Sequence, residues 1–385
     1  MEKFFNQKFL TEEEIQMKII CNTVELSEAC QNVQRAASTK TAIPAIEGIL
    51  MTAKDGILTL TGYDLEMGIT TTIAARTEVE GELVLNAHMF SETLRKLPGS
   101  TVEIFSDDRN IAYISCGDYE STLIGISAEE YPDLPSVSGG YPITVSQGIL
   151  KDMVRKTIFS AAVKDSKIVH TGIKFEIEEN HIRLIAVDGV RLAIRNENIN
   201  YSGENLSFVV PAKTLSEVVK LMNDDDADVT LGVGKRHIIF EVSGYNIISR
   251  LLDGEFLNYK AAIPSSTKTV INVNTRAFIE SIDRTSLIIT EKIKSPVKCV
   301  FDDNMIKMSS ITSLGTANDR IPASIDGETC TIGFNNKYML DALRACDSDE
   351  VRIMLNGAVA PILIVPNEGD EFIFLILPVR LKNED

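Results

Sequence analysis

Apolar and polar residues alternate along Gly172-Ile-Lys-Phe-Glu-Ile177, stop at Glu178-Glu-Asn180, and alternate again along His181-Ile-Arg-Leu-Ile-Ala186. A period of two predicts two strands joined by a turn. Just upstream the period changes. Behind a short Ile143-Thr-Val145 strand, Ile149, Met153, Val154, Ile158 and Ala161 recur at helical spacing. Asp188-Gly189 then turns the chain into Arg191-Leu-Ala-Ile194. The plan runs a second time: Phe208-Val-Val210, a helix from near Lys213, and strands at 228–232, 237–242 and 246–250. Each half is thus one helix with several antiparallel strands. Two halves make an α+β domain with two helices on one face of its sheets.

This domain occurs three times. Strand-plus-helix openings begin at Lys18-Ile-Ile-Cys-Asn-Thr-Val-Glu-Leu26, Pro142-Ile-Thr-Val-Ser-Gln-Gly-Ile-Leu150 and Val270-Ile-Asn-Val-Asn-Thr-Arg-Ala-Phe278. Their helix anchors Leu26, Leu150 and Phe278 lie 124 and 128 residues apart. A second series, anchored at Phe90, Leu215 and Met339, keeps spacings of 125 and 124. Such a period is too long for a solenoid unit, so each copy is expected to own a core. Turn-forming linkers at 135–140 and 264–268 set boundaries near 139 and 267. The expected layout is an extension 1–16, then domains 17–139, 140–267 and 268–385. Met17 opens the first repeat, so the extension is expected to be dispensable.

Composition narrows the class. Apolar content of 44% and charged content of 24% suit a soluble globular chain. No run approaches a membrane span, and residues 1–16 lack the build of a secretory signal. The cysteines Cys21, Cys30, Cys116, Cys299, Cys330 and Cys346 form no Cys-x-x-Cys pair and read as buried, reduced thiols of a cytosolic protein. The four histidines show no metal-ligand spacing. No cofactor is expected.

Net charge is −17, which argues against a nucleic-acid partner until it is sorted by element. The predicted helices 26–40, 88–97, 149–164, 211–222, 275–287 and 335–346 carry a net +7, leaving −24 elsewhere. If these helices line one surface, that surface is positive on an acidic body. Solvated helix faces would give the same count.

Catalytic patterns are missing. Gly232-Val-Gly-Lys235 lacks the phosphate-loop spacing, no Gly-x-Ser-x-Gly elbow occurs, and Asp224-Asp-Asp226 reads as a solvated turn.

Local motifs add a resemblance. Thr61-Gly-Tyr-Asp-Leu-Glu-Met67, Val187-Asp-Gly-Val-Arg-Leu-Ala193, Leu251-Leu-Asp-Gly-Glu-Phe256 with Tyr259, and the closing Leu377-Pro-Val-Arg-Leu381 resemble the signatures of the bacterial sliding clamps. The resemblance runs from about Met17 to Leu381. It implies a head-to-tail homodimer whose six domains ring duplex DNA. It also implies a clamp loader that uses ATP, tethered polymerase and repair proteins, and no catalysis of its own. An acidic scaffold that binds peptides without encircling DNA is the second reading, and an enzyme with an interdomain site is the third.

By the same resemblance, a peptide groove between the second and third domains is walled by Val187, Gly189, Val190, Arg191, Leu192, Leu257, Ala261 and Ala262. Pro361, Leu375, Ile376, Leu377, Pro378, Val379, Arg380 and Leu381 complete it. Its expected guests carry Gln, Leu and an aromatic or Leu. Leu257, Ala261, Val190 and His170 depart from one branch of the family, which alters the rim. DNA-facing candidates are Lys40, Arg95, Lys96, Lys151, Arg155, Lys156, Lys164, Lys167, Lys213, Lys220, Arg284, Lys337 and Arg344. The dimer contact is expected where Ser121 and Leu123 meet Leu287 and Ile288.

Overall fold

The computed structural model describes residues 15–39, 41–137, 142–223, 227–290 and 292–381. Three copies of one element order follow. The first is β1 (Ile15–Asn22), α1 (Thr23–Val33), β2 (Gly48–Lys54), β3 (Ile57–Tyr63), β4 (Met67–Val79), β5 (Gly81–Asn86), α2 (Ala87–Arg95), β6 (Thr101–Asp107), β7 (Ile111–Cys116) and β8 (Tyr119–Ile124). The second is β9 (Ile143–Ser146), α3 (Gln147–Ile158), β10 (Gly172–Glu178), β11 (His181–Val187), β12 (Arg191–Asn198), β13 (Leu206–Pro211), α4 (Ala212–Leu221), β14 (Asp228–Val233), β15 (His237–Val242) and β16 (Tyr245–Arg250). The third is β17 (Thr269–Asn274), α5 (Thr275–Thr285), β18 (Val297–Asp302), β19 (Met305–Thr312), β20 (Gly315–Pro322), the additional β21 (Ser324–Gly327), β22 (Cys330–Phe334), α6 (Asn336–Arg344), β23 (Glu350–Leu355), β24 (Ile362–Pro366) and β25 (Phe372–Ile376). None of the described helices is long and apolar enough to cross a membrane.

All six helix anchors, Leu26, Phe90, Leu150, Leu215, Phe278 and Met339, are buried. The helices are shorter than the apolar spacing predicts. Asparagines set four of the starts: Asn22, Asn86, Asn274 and Asn335 accept hydrogen bonds from first-turn N–H groups. α1 tightens into a 3-10 turn at Gln34–Ala36, and α3 ends at Ile158, where Thr157 bonds back to the Met153 carbonyl. Ala161 is buried as its spacing predicts, yet it lies in a bend. Restricting the charge count to the described helices lowers it from +7 to +2, because Arg35, Lys96 and Lys164 fall beyond them, Lys40 is outside the described residues and Glu25 falls within α1. The positive charge lies largely where helices end, where it also complements their carbonyl ends.

The contacts divide the chain into two units, residues 1–147 with 216–251 and residues 148–215 with 252–385. The division cuts the second copy, and the strand pairing explains why. In the first unit a sheet runs β8-β7-β6-β1-β4-β16-β15-β14-β9. In the second, a sheet runs β13-β10-β11-β12-β25-β24-β23-β17-β21, beside a four-stranded β20-β19-β18-β22. All the pairings are antiparallel, and two of them join different copies. β4 of the first copy pairs with β16, the last strand of the second, from Met67↔Ser249 to Thr71↔Tyr245. β12 of the second pairs with β25, the last strand of the third, from Arg191↔Ile376 to Arg195↔Phe372.

The turn before each of the equivalent strands β12, β4 and β20 is closed by a side-chain oxygen. Asp188 N–H bonds the Arg191 carbonyl, and its carboxylate accepts from Val190 N and Arg191 N at 3.1 and 3.0 Å, with Gly189 at φ +86°. Asp64 repeats this with Glu66 N and Met67 N at 3.1 and 2.7 Å, and Leu65 holds φ +74° in the glycine's place. In the third copy Thr312 faces Gly315, and its hydroxyl accepts from Leu314 N. Side-chain oxygens thus close all three turns.

Candidate functional site

Strand alternation sorts the predicted groove wall into two faces. Val187, Leu192 and Leu375 share a cluster with Ile185, Ile194, Tyr259 and Leu363 on one face of the second unit's larger sheet. Ala193, Phe374 and Ile376 belong to the core on the other face. Ile376 is therefore not a groove side chain. Nor is Arg191: its guanidinium lies 4.4 Å from the Tyr338 ring centre and pairs with Asp188 at 2.7 Å and Asp341 of α6 at 2.8 Å. The resemblance groups Val187 to Leu192 as one wall, whereas the pleat separates neighbours.

Leu192 is 2% exposed, so it is floor rather than wall. Val190, Leu257, Leu377 and Val379 are 38–40% exposed and supply the accessible apolar surface. Ala261 and Ala262 are exposed on the 3-10 turn Tyr259–Ala262; Pro361 is half-buried at the start of β24. Pro378 and Leu381 are half-buried and Arg380 is exposed. The end of the described chain is docked by its backbone. Leu377 N–H bonds the Val190 carbonyl at 2.8 Å, and Val379 N–H bonds the Gly333 carbonyl at 2.8 Å. Gly333 leaves room for that passage, since a Cβ there would meet the Val379 carbonyl oxygen at 2.6 Å.

A polar network holds the loop beside the floor. Glu176 accepts from Lys174 at 2.7 Å and from the Tyr259 hydroxyl at 2.7 Å, with Arg183 at 3.4 Å. Burial opposes its charge, but the bonds from Lys174 and Tyr259 keep its carboxyl below the usual glutamate range. Burial and then the Glu176 bond push Tyr259 up to about 12. Lys174 also lies 5.6 Å from the Phe256 ring centre. His170 is buried, bonded through Nδ1 to Asp165 at 3.0 Å and set edge-on to Phe256. The sequence reading missed Tyr259, Phe256, Ile263 and Leu363 as parts of this face. The alternation that places Leu192 could have found Leu363, while Phe256, Tyr259 and Ile263 lie in a loop with no period to follow.

The candidate cations differ in surroundings. Arg155, Lys164, Lys167, Lys213 and Lys337 are exposed, and Lys151 is half-buried on α3. Lys164, expected on a helix, sits in the bend beyond α3. Arg95 and Lys96 approach Glu92, Lys220 approaches Glu217, Arg284 bonds Asp319, and Arg344 bonds Asp283. Lys156 is 9% exposed, bonded to Asp152 at 2.8 Å and Asp347 at 3.1 Å. Burial disfavours its charge, but the two carboxylates raise its pKa overall. Its side chain is turned to those acids and away from solvent. Lys40 and Asp224–Asp226 lie outside the described residues.

The expected dimer residues lie on or beside apolar edges. Ser121 and Leu123 are half-buried on β8, the end strand of its sheet, where Ile124 is 83% exposed. Leu287 is 80% exposed just past α5, Ile288 is half-buried, and Ile311 and Leu314 are exposed at the β19–β20 turn.

Family models of the DNA polymerase III beta subunit match residues 17–135 (N-terminal domain), 144–258 (central domain) and 260–380 (C-terminal domain). The Bacillus subtilis beta sliding clamp is 33% identical over 376 residues, covering 94% of this chain and all of that one. A solved DNA polymerase sliding clamp from the same organism superposes with a TM-score of 0.93 at 33% identity, covering 95% of this chain and all of that one. A putative DNA polymerase III beta subunit from Eubacterium rectale gives 0.92 at 35% identity, covering 94% and 99%. With three α+β copies and all three family models matched in order along it, this chain belongs to the DNA polymerase III beta subunit family, the beta sliding clamps.

Proposed function

We propose that two copies of this chain close head to tail into a ring around duplex DNA and act, in the cytosol, as a processivity factor. The ring tethers polymerase and repair proteins and catalyses nothing itself. The repeat carries this reading. The first copy offers β4 to the last strand of the second, and the second offers β12 to the last strand of the third. By the same rule the third copy offers β20, and the last strand still without a partner copy is β8. Both end their sheets among the described residues. Pairing β20 with the β8 of a second chain would remove two open edges and cover Ile124, Leu287 and Ile311. The proposed domain limits near 139 and 267 fall between β8 and β9 and between β16 and β17.

DNA would be held by scattered exposed cations rather than read. Phosphate contacts attract without regard to sequence, and few of them keep sliding easy. Arg155, Lys164, Lys167, Lys213 and Lys337 are the best placed, with Lys151 behind them. A loader that uses ATP would open the ring. Partner peptides would seat their apolar side chains among Val190, Leu257, Leu377 and Val379.

Native mass and topology test the reading together. The expected mass is about twice the 42.4 kDa chain, and loaded protein should stay on circular DNA and slide off once the circle is cut. A monomer at micromolar concentration and moderate salt, or equal loss from intact circles, would refute ring closure.

A further inference from the structure

We propose that the open edge of β20 recognises β8 of a second copy in one fixed register, and that Arg320 selects this edge by pairing with the partner's Glu120 and the partner's Asp118. The proposal deepens the ring reading and rests on it.

The register comes from the two joints within the chain. In both, the first residue of the joining strand faces the fifth residue of the last strand: Met67 of β4 faces Ser249 of β16, and Arg191 of β12 faces Ile376 of β25. The fifth residue likewise faces the first, Thr71 with Tyr245 and Arg195 with Phe372. β20 starts three residues after Thr312, as β4 and β12 start three after Asp64 and Asp188. β8 starts at Tyr119, across a two-residue turn from Cys116, as β16 starts at Tyr245 across from Val242. The same rule sets Gly315 opposite the partner's Leu123 and Asp319 opposite the partner's Tyr119. Asn318 then faces the partner's Glu120. Arg320 stands abreast of the partner's Asp118, in the turn before β8.

The strand faces support this register independently. Ser121 and Leu123 lie opposite the buried Ile114 and Ala112 on the core side of β8, so Glu120 and Thr122 point away. Ala317 and Asp319 lie opposite the buried Ser310 and Met308, so Asn318 and Arg320 point away. In this register core-side residues meet core-side residues and outward residues meet outward ones. A slip of one residue would set core side against solvent side at every pair.

Charge favours the same partner. Arg320 and Asp118 are exposed and Glu120 is half-buried. Among the described residues no ion pair holds any of the three, although the charges around them are matched: Lys307 with Asp302 at 3.1 Å, Arg284 with Asp319 at 2.6 Å, and Lys18 with Glu103 at 3.3 Å. Lys307 is the direct cross-strand neighbour of Arg320, which adds to the positive side of the β20 edge. Diagonal neighbours on one face of a sheet come within about 7 Å, in reach of a long side chain. Arg320 can therefore serve both acids. Laying β8 on a second β8 would bring acids together, and laying β20 on a second β20 would bring cations together. Only unlike edges match, which is the head-to-tail arrangement.

The test measures the dimer dissociation constant of the full-length protein by sedimentation. Arg320→Glu should weaken the dimer about tenfold, and so should Asp118→Lys with Glu120→Lys. Mixing these two variants in equal amounts should restore dimers to within about threefold of the parent, because one junction is then native and the other carries both reversals. Arg320→Gln should weaken the dimer less and flatten its salt dependence. An Arg320→Glu dimer as tight as the parent, or no restoration on mixing, overturns the proposal and leaves ring closure standing. Oxidation with copper phenanthroline tests the register. A chain with Thr316→Cys and Thr122→Cys should give a covalent dimer, whereas Thr316→Cys with Leu123→Cys, or either substitution alone, should not; the native cysteines are all buried. The opposite yields overturn the register. A parent that is monomeric at micromolar concentration refutes ring closure on its own. Oxidation then decides the register, since it traps brief encounters: a link between positions 316 and 122 supports it, and no link refutes it.

Discussion

The N–H of Val379 bonds the carbonyl of Gly333 at 2.8 Å, and a methyl group on Gly333 would come within 2.6 Å of the Val379 carbonyl oxygen. The last described residues are therefore fastened to the edge of β22 because residue 333 has no side chain. Gly333→Ala should loosen the segment from Pro378 onward without unfolding the domain. Peptide affinity should fall about tenfold, protease should reach the C-terminal end sooner, and native mass should not change. A variant that binds peptide as the parent does would show that the segment contributes nothing to the groove.

Floor and rim of the groove should respond differently. Leu377→Asp and Leu257→Asp place charge on exposed apolar surface; each should weaken peptide binding about tenfold with little loss of stability. Leu192→Asp buries a charge, and should lower unfolding stability by about 3 kcal/mol or more in a denaturant titration. Deleting residues 378–385 should abolish peptide binding and keep the dimer, while Lys164→Ala should leave peptide affinity within about twofold.

Lys156 should behave unlike its neighbours. Reversing Lys151, Arg155 and Lys164 together should weaken DNA association at low salt and flatten its salt dependence. Retention on closed circles should fall less, because trapping is steric. Lys156→Glu, which sets a third carboxylate beside Asp152 and Asp347, should lower the melting temperature of the protein instead. Normal stability in that variant would contradict the buried pairing.

Glu176 supplies a pH signature. Its carboxyl is held below the ordinary value, so its bonds stabilise the fold above that value, and the contribution is lost as pH falls through the depressed one. The parent should melt above Glu176→Gln near neutral pH, and the gap should close below about pH 4, under the usual glutamate range. A gap that persists at lower pH would mean that the charge is not what holds Tyr259.

Much of this was legible from the chain. The alternation of residues 172–186 and the spacing of Leu26, Phe90 and their counterparts mark the repeated elements, because a half-buried strand and an amphipathic helix leave different periods. Helix ends were less visible. Apolar spacing continues through Ala161 although the backbone has left the helix, since burial alone does not require helical hydrogen bonds. The proposed groove was partly legible. Motif resemblance names β12 and β25, which do pair, but it groups Arg191 and Ile376 with Leu192, and only the pleat tells which way each side chain goes.

The strand pairings have a consequence for how a closed ring would come apart. β4–β16 and β12–β25 join strands of a single chain, so their encounter is intramolecular and insensitive to dilution. A β20–β8 junction, built from the same kind of backbone bonds, would carry the entropic cost of bringing two bodies together. Chemically similar joints would then differ in persistence through connectivity alone. Dilution, or a protein that grips β8, would release that junction first, and the covalently tethered ones would stay shut.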